Sequence, residues 1–272
     1  MNQVLGNGPE GLSLFGPESK HYAVIGDNHG RPANLEALRE AYEPVDDVVF
    51  VTVGDVINKG PDSRKSIGLV MDMGAICLMG NCEWMMLRGM KEQDEDKQGA
   101  FVSENYKRYF AKTCESYGVS KSGVEKVTKK QAIEVIRDLG QAILEEGHHD
   151  YFANLKLFFK DSGLVVVHAG LLPDRSWGEQ KRELKLVEYS IKRQGCDWGE
   201  MPVQISDVKG HKLSKDPHVP QGIKGVLVTG HHHSDERLRS RITHDGQRVR
   251  LGASMKEPML VYDSRSRRVM EF

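Results

Sequence analysis

Five times along this chain a short apolar run ends in residues that bind metal ions. Residues 22–25 lead into Gly26-Asp27-Asn28-His29-Gly30, 48–53 into Gly54-Asp55, 75–79 into Gly80-Asn81, 164–167 into His168-Ala169-Gly170, and 225–229 into Gly230-His231-His232-His233. Apolar runs of four to six residues, bounded by turn formers, read as buried strands. Helix-period segments at 33–42 and 64–73 separate the first three, and Leu35, Leu38 and Tyr42 share one stripe behind Pro32 at a first helical position. The order βαβαβ predicts an α/β fold with a mostly parallel sheet. Open α/β sheets bind ligands at the carboxyl ends of their strands, so the five clusters are expected at one edge.

Composition narrows the functions available. The 272 residues suffice for one large catalytic domain, and 38 Lys plus Arg against 39 Asp plus Glu leave a formal charge of −1. No excess of positive charge exists to drive binding to nucleic acid through counterion release. With 39% hydrophobic and 28% charged residues, and no run approaching the roughly 18 apolar residues of a membrane span, a soluble globular chain is expected. The amino terminus lacks a basic stretch followed by an apolar core, so a cytoplasmic location is the expectation. Cys77, Cys82, Cys114 and Cys196 are irregularly spaced and read as free thiols.

Residues 1–20 are rich in Gly, Pro and Ser and read as a flexible arm ahead of a single domain over 21–272. Between about 84 and 151 the pattern becomes long, charged and helical, with Ile133, Ile136, Leu139 and Ile143 on one face, and predicts a helical insertion. Residues 195–225 read as a long loop, and 259–262 with 268–272 as a terminal hairpin.

A lone Gly-Asp is usually a turn, and a lone histidine usually a hydrogen-bonded core residue. Five such clusters in order carry more. Carboxylate, imidazole and amide donors together suit Mn, Fe, Zn or Co better than Mg or Ca. Two such ions roughly 3.5–4 Å apart would clamp a phosphoryl group and activate a water for in-line attack.

The clusters resemble the motifs of the calcineurin-like metallophosphoesterases, which run GDxHG, GDxxxxGPDS, GNHE, HAG and GHxH. Here they read GDNHG at 26–30, GDVINKGPDS at 54–63, GNCE at 80–83, HAG at 168–170 and GHHH at 230–233. The resemblance implies a β-sandwich flanked by helices and two divalent metals, with Mn expected to support activity in vitro. It implies that Asp27, His29 and His233 hold one metal, that Asn81, His168 and His231 hold the other, and that Asp55 bridges them. The details lean toward bacterial phosphoprotein phosphatases and symmetrical diadenosine tetraphosphatases. Substrates would then be phosphomonoesters, nucleotide phosphoanhydrides or phosphoproteins.

Three positions depart from the phosphatase pattern. Cys82 stands where that pattern has the histidine that protonates the leaving oxygen, Asn58 where an aspartate orients it, and Lys59 where an arginine grips phosphate. A thiol of pKa about 8.5 is a poor proton donor to an alkoxide, and general-acid help is worth roughly 10²–10⁴ in rate. Good leaving groups are therefore expected to be preferred. Lys59 can still offer charge to phosphate, with Arg31 and Arg88 as further candidates. The rival readings are a phosphodiesterase, which the Cys at 82 and the GHxH pair favour, and a non-catalytic phosphate-binding protein that has lost its acid.

Overall fold

The computed structural model describes residues 4–5, 20–121, 123–161, 163–193, 201–206, 218–231, 242–243, 246–253 and 255–272. The elements run β1 (Val4–Leu5), β2 (His21–Ile25), α1 (Pro32–Tyr42), β3 (Val48–Thr52), α2 (Ser63–Asp72), β4 (Ile76–Cys77), α3 (Asn81–Lys91), α4 (Glu95–Tyr109), α5 (Ala111–Ser116), α6 (Lys129–Glu145), α7 (His149–Asn154), β5 (Phe158–Asp161) and β6 (Leu164–Val167). They continue with α8 (Trp177–Arg193), β7 (Val226–Thr229), β8 (Ile242–Thr243), β9 (Arg248–Arg250), β10 (Leu260–Asp263) and β11 (Arg268–Glu271).

Two sheets form, in the orders β1-β11-β10-β2-β3-β4 and β5-β6-β7-β9-β8. The side-chain alternation of the strands explains why they stack. Tyr22 and Val24 of β2, Leu164 and Val166 of β6, and Val226 and Val228 of β7 share one apolar cluster between the sheets. Their alternates Ala23, Ile25, Val165, Val167 and Leu227 belong to a second cluster with the helices. Strands buried on both faces read as unbroken apolar runs, which is how they stand in the sequence. The result is a sandwich with helices outside.

Each sheet is mixed, which departs from the mostly parallel sheet that the βαβαβ order predicts. In the first sheet the parallel pairs β2·β3 and β3·β4 form one end and the remaining pairs are antiparallel; in the second, β6·β7 and β7·β9 form a parallel centre and antiparallel strands close both edges. The terminal hairpin forms as expected, with Tyr262 opposite Val269, but it inserts between β2 and the edge. Val4–Leu5, expected within a loose arm, pairs with Val269 and Met270. Helix α8 is not among the elements expected from the sequence; in it the Gln180 amide is buried together with Trp177 and Leu184. That amide accepts from Leu172 N at 2.7 Å and donates to Leu172 O at 3.0 Å. Of the long loop expected at 195–225, residues 194–200 and 207–217 lie outside the described residues. No helix among the described residues is long and apolar enough to cross a membrane.

Helices α3 to α7 lie between β4 and β5, over the residues expected to be helical. Ala132, Ile136, Leu139 and Ile143 are the buried stripe of α6. They share their apolar cluster with Ile25, Ile67 and Val70 of the βα layers. Truncating a fully buried leucine costs about 2–5 kcal/mol. Leu139→Ala is expected to lower stability by that amount while urea unfolding stays a single transition. A separate early transition for the insertion would show that it folds as its own unit.

Candidate metal centre

The loops after β2, β3, β4, β6 and β7 converge at one edge of the sandwich. From the first sheet come Asp27, His29, Asp55, Asn81 and Cys82, and from the second His168 and His231; all but His231 are buried. His232 and His233 lie outside the described residues. Five of the seven non-glycine residues with positive φ among the described residues sit in these loops: His29 (53°), Asp55 (53°), Asn58 (68°), Lys59 (59°) and His231 (73°). Such backbone is strained for side-chain-bearing residues and persists only where the surroundings hold it. Two glycines make the room required. A Cβ on Gly80 would lie 2.3 Å from Asp55 Oδ1, and one on Gly230 would lie 2.3 Å from Asp27 Oδ1.

The two sheets are tied through the site itself. His168 Nδ1 lies 2.9 Å from Val53 O, and a carbonyl can only accept, so Nδ1 carries the proton. Nε2 then faces inward, 3.3 Å from Asn81 Oδ1 and 3.7 Å from Asp55 Oδ1, with His231 Nδ1 at 3.2 Å. The His231 backbone N–H donates to both oxygens of Asp27, at 3.1 and 3.0 Å. The Cys82 backbone N–H, in the first turn of α3, donates to Asp55 Oδ1 at 2.9 Å, so the positive end of the helix faces this carboxylate.

The electrostatics are those of a cation site. His29 Nδ1 is buried without a hydrogen-bond partner, 3.8 Å from Asp55 Oδ2, and Nε2 accepts from Lys59 Nζ at 2.9 Å. Burial lowers the His29 pKa to about 3, so the ring is neutral and able to ligate. Burial, and then the Asp55 charge, push Asp27 well above the ordinary carboxylate range. Burial also acts to raise Asp55, but His168, His29 and Lys59 together pull it down. Two buried carboxylates with opposed shifts, amid inward-facing imidazole and amide lone pairs, form an acceptor-rich cavity that divalent cations fit. Cys82 joins this set, since atoms of His29, Asp55 and Cys82 lie within 4.8 Å of one another. Its thiol is pushed well up by burial and by Asp55, and as a proton donor is weaker than a free cysteine. Cys77, Cys82 and Cys114 are free thiols as expected, and Cys196 lies outside the described residues.

The positive side chains expected to meet phosphate are engaged elsewhere. Arg31 donates to the backbone carbonyls of Asn28 (2.9 Å), Asp27 (3.2 Å) and Glu257 (2.5 Å), fixing the first loop. Arg88 stacks 4.6 Å over the Phe101 ring, nearly two helical turns along α3 from Asn81. Lys59 remains at the site through its contact with His29.

A buried acid that sequence reasoning gives no role organises the second loop. Glu83 Oε1 accepts from Val56 N (2.8 Å), Ile57 N (3.2 Å) and Tyr151 Oη (3.1 Å), and Oε2 from Asp55 N (2.9 Å) and Gly80 N (3.0 Å). Burial and the Asp55 charge push Glu83 up to about 7, while the amide bonds pull it back. Its position after Gly80-Asn81-Cys82 was the available signal, but four of its five partners are 26 to 68 residues distant. Glu83→Gln places an amide N–H₂ against backbone N–H donors. It is expected to cost about 1–3 kcal/mol and to weaken Mn²⁺ binding at least tenfold, checked by thermal unfolding and metal titration. Unchanged metal affinity would show that the loop keeps its shape without this carboxylate.

Comparisons with known proteins agree with this geometry. Over 261 residues the chain is 24% identical to a symmetrical bis(5'-nucleosyl)-tetraphosphatase of Dechloromonas aromatica, covering 76% of this chain and 80% of the relative. Over 70 residues it is 39% identical to serine/threonine-protein phosphatase 1 of Salmonella typhimurium, a local match covering 25% of this chain and 32% of the relative. A solved structure provisionally assigned to a diadenosine tetraphosphatase shares the fold with a TM-score of 0.52 at 16% identity, covering 95% of each chain. Residues 20–249 match the family model described as calcineurin-like phosphoesterase, and with that span of agreement the chain belongs to the calcineurin-like phosphoesterase family.

Proposed function

We propose that this protein is a metal-dependent phosphohydrolase acting on phosphomonoesters or nucleotide phosphoanhydrides. The observation that carries the reading is the inward convergence of Asp27, Asp55, Asn81 and His168, with the His168 proton held outward by Val53 O. Asp27 and His29, with His233, would hold one divalent ion, Asn81, His168 and His231 a second, and Asp55 both. When bound, such ions supply Lewis acidity toward phosphoryl oxygens and lower the pKa of a water for in-line attack. The relatives named for nucleotide and phosphoprotein hydrolysis support this substrate range.

The chain's own residues shape the remaining chemistry. Val53 O fixes the His168 tautomer, Glu83 holds Asp55 in its left-handed turn, and the amide at Cys82 orients the Asp55 carboxylate. Lys59 brings positive charge to the mouth. Cys82, buried and with its pKa raised, gives the leaving oxygen little help. Substrates that leave as stabilised anions, such as aryl esters and nucleotides, are therefore favoured. A phosphodiesterase is the second reading, because a cysteine stands at 82 and because His231 reaches the site.

Elemental analysis of the purified protein is expected to give about two divalent metals per chain. Mn²⁺ should stimulate hydrolysis of p-nitrophenyl phosphate over bis-p-nitrophenyl phosphate; the reverse preference would establish the diesterase. Metal without turnover would leave a phosphate-binding protein, and no metal would end the proposal. Asp55→Asn is expected to remove both metal and turnover. Cys82→His should raise alkyl-ester rates more than aryl-ester rates, and an equal gain would sink the leaving-group argument.

A further inference from the structure

The insertion is bolted to the second loop. Asn58 Nδ2 donates to Arg108 O at the last turn of α4, Ser63 Oγ meets Thr113 Oγ1 of α5 at 3.1 Å, and Arg64 N donates to Ser116 Oγ at 3.2 Å. The first of these contacts lies beside Lys59, whose ammonium already touches His29. It therefore brings the Arg108–Tyr109 pair to the edge of the candidate metal centre. Asn58 is buried, and a carboxylate in its place would face the Arg108 carbonyl with no proton to share. An amide is the side chain of that size that can make the contact.

At this edge Arg108 is exposed and lies 5.0 Å over the ring of Tyr109, which is half-buried. Burial raises the Tyr109 pKa, and Arg108, Cys82, Asp55 and Lys59 lie near enough to act on its phenol. Among the described residues no carboxylate pairs with the Arg108 guanidinium. Arg31 is spent on carbonyls, and Arg88 lies nearly two helical turns along α3 from Asn81. A guanidinium presents a planar pair of donors that matches two phosphoryl oxygens, which an ammonium cannot do.

We propose that the insertion supplies the phosphate clamp of this protein: Arg108, carried on Tyr109 and tethered through Asn58, binds the phosphoryl oxygens of the substrate beside Lys59. The inference rests on the hydrolase reading for its substrate, but phosphate binding tests it separately. The position of Arg108 on the insertion makes the insertion part of the substrate site.

The experiment compares wild type, Arg108→Ala, Arg108→Lys and the surface control Arg137→Ala, whose parent side chain pairs with Glu95 on an exposed face. Equilibrium dialysis of radiolabelled inorganic phosphate with Mn²⁺-supplemented protein is read alongside KM and kcat for p-nitrophenyl phosphate. Arg108→Ala is expected to weaken phosphate binding and raise KM by about 10- to 100-fold, with a smaller change in kcat. Arg108→Lys should recover part of this, and the control none of the loss. Wild-type phosphate affinity in Arg108→Ala, or no phosphate binding by wild type, would overturn the clamp. If wild type binds phosphate through Arg108 but shows no turnover, the clamp stands and the hydrolase reading fails.

Discussion

The Glu83 carboxylate lies fully buried at the start of α3 and accepts hydrogen bonds from four backbone amides and one phenol. Three of those amides belong to consecutive residues, Asp55, Val56 and Ile57, a concave run of N–H groups that favours an anionic acceptor. Such a turn forces Asp55 to a φ of 53°, and that conformation carries its carboxylate toward His168 and the amide of Cys82. Burying an acid is costly, and five donors offset the cost. The rest of the candidate site hangs from this arrangement. If Asp55 moved, the lone pairs of Asn81 and His168 would have no carboxylate to face.

Much of this centre could be read from the order of residues. Metal chemistry uses few residue types, and parallel strands deliver them at their carboxyl ends, so Asp27, His29, Asp55, Asn81, His168 and His231 stand out before any coordinates. Doubly buried strands such as β6 and β7 stand out equally, because both faces demand apolar side chains. Legibility fails where a contact depends on distant pairing. Arg248–Arg250 forms a strand whose arginines are buried, and nothing in its polarity announces that. Tyr151 meets Glu83 across 68 residues, and Asn58 meets Arg108 across 50. Arg31, adjacent to the first cluster, looks like a phosphate ligand by proximity, yet three carbonyls take its donors.

The departures at positions 58, 59 and 82 are unrelated losses when taken one at a time. Together they follow from docking the insertion on the second loop. A carboxylate at 58 would repel the Arg108 carbonyl, so the tether requires an amide. An amide in that place is neutral and turned toward α4, and it leaves an imidazole at 82 without the anion that would orient and charge it. The space beside Asp55 is then filled by a small buried thiol, which packs like an apolar group. The planar, two-donor fork that an arginine at 59 would offer is, on the proposed clamp, supplied from the end of α4. With the proposed clamp, phosphate recognition rests on a helix carried by the insertion as well as on Lys59, and substrate selectivity can change there without disturbing Glu83 or the residues it holds.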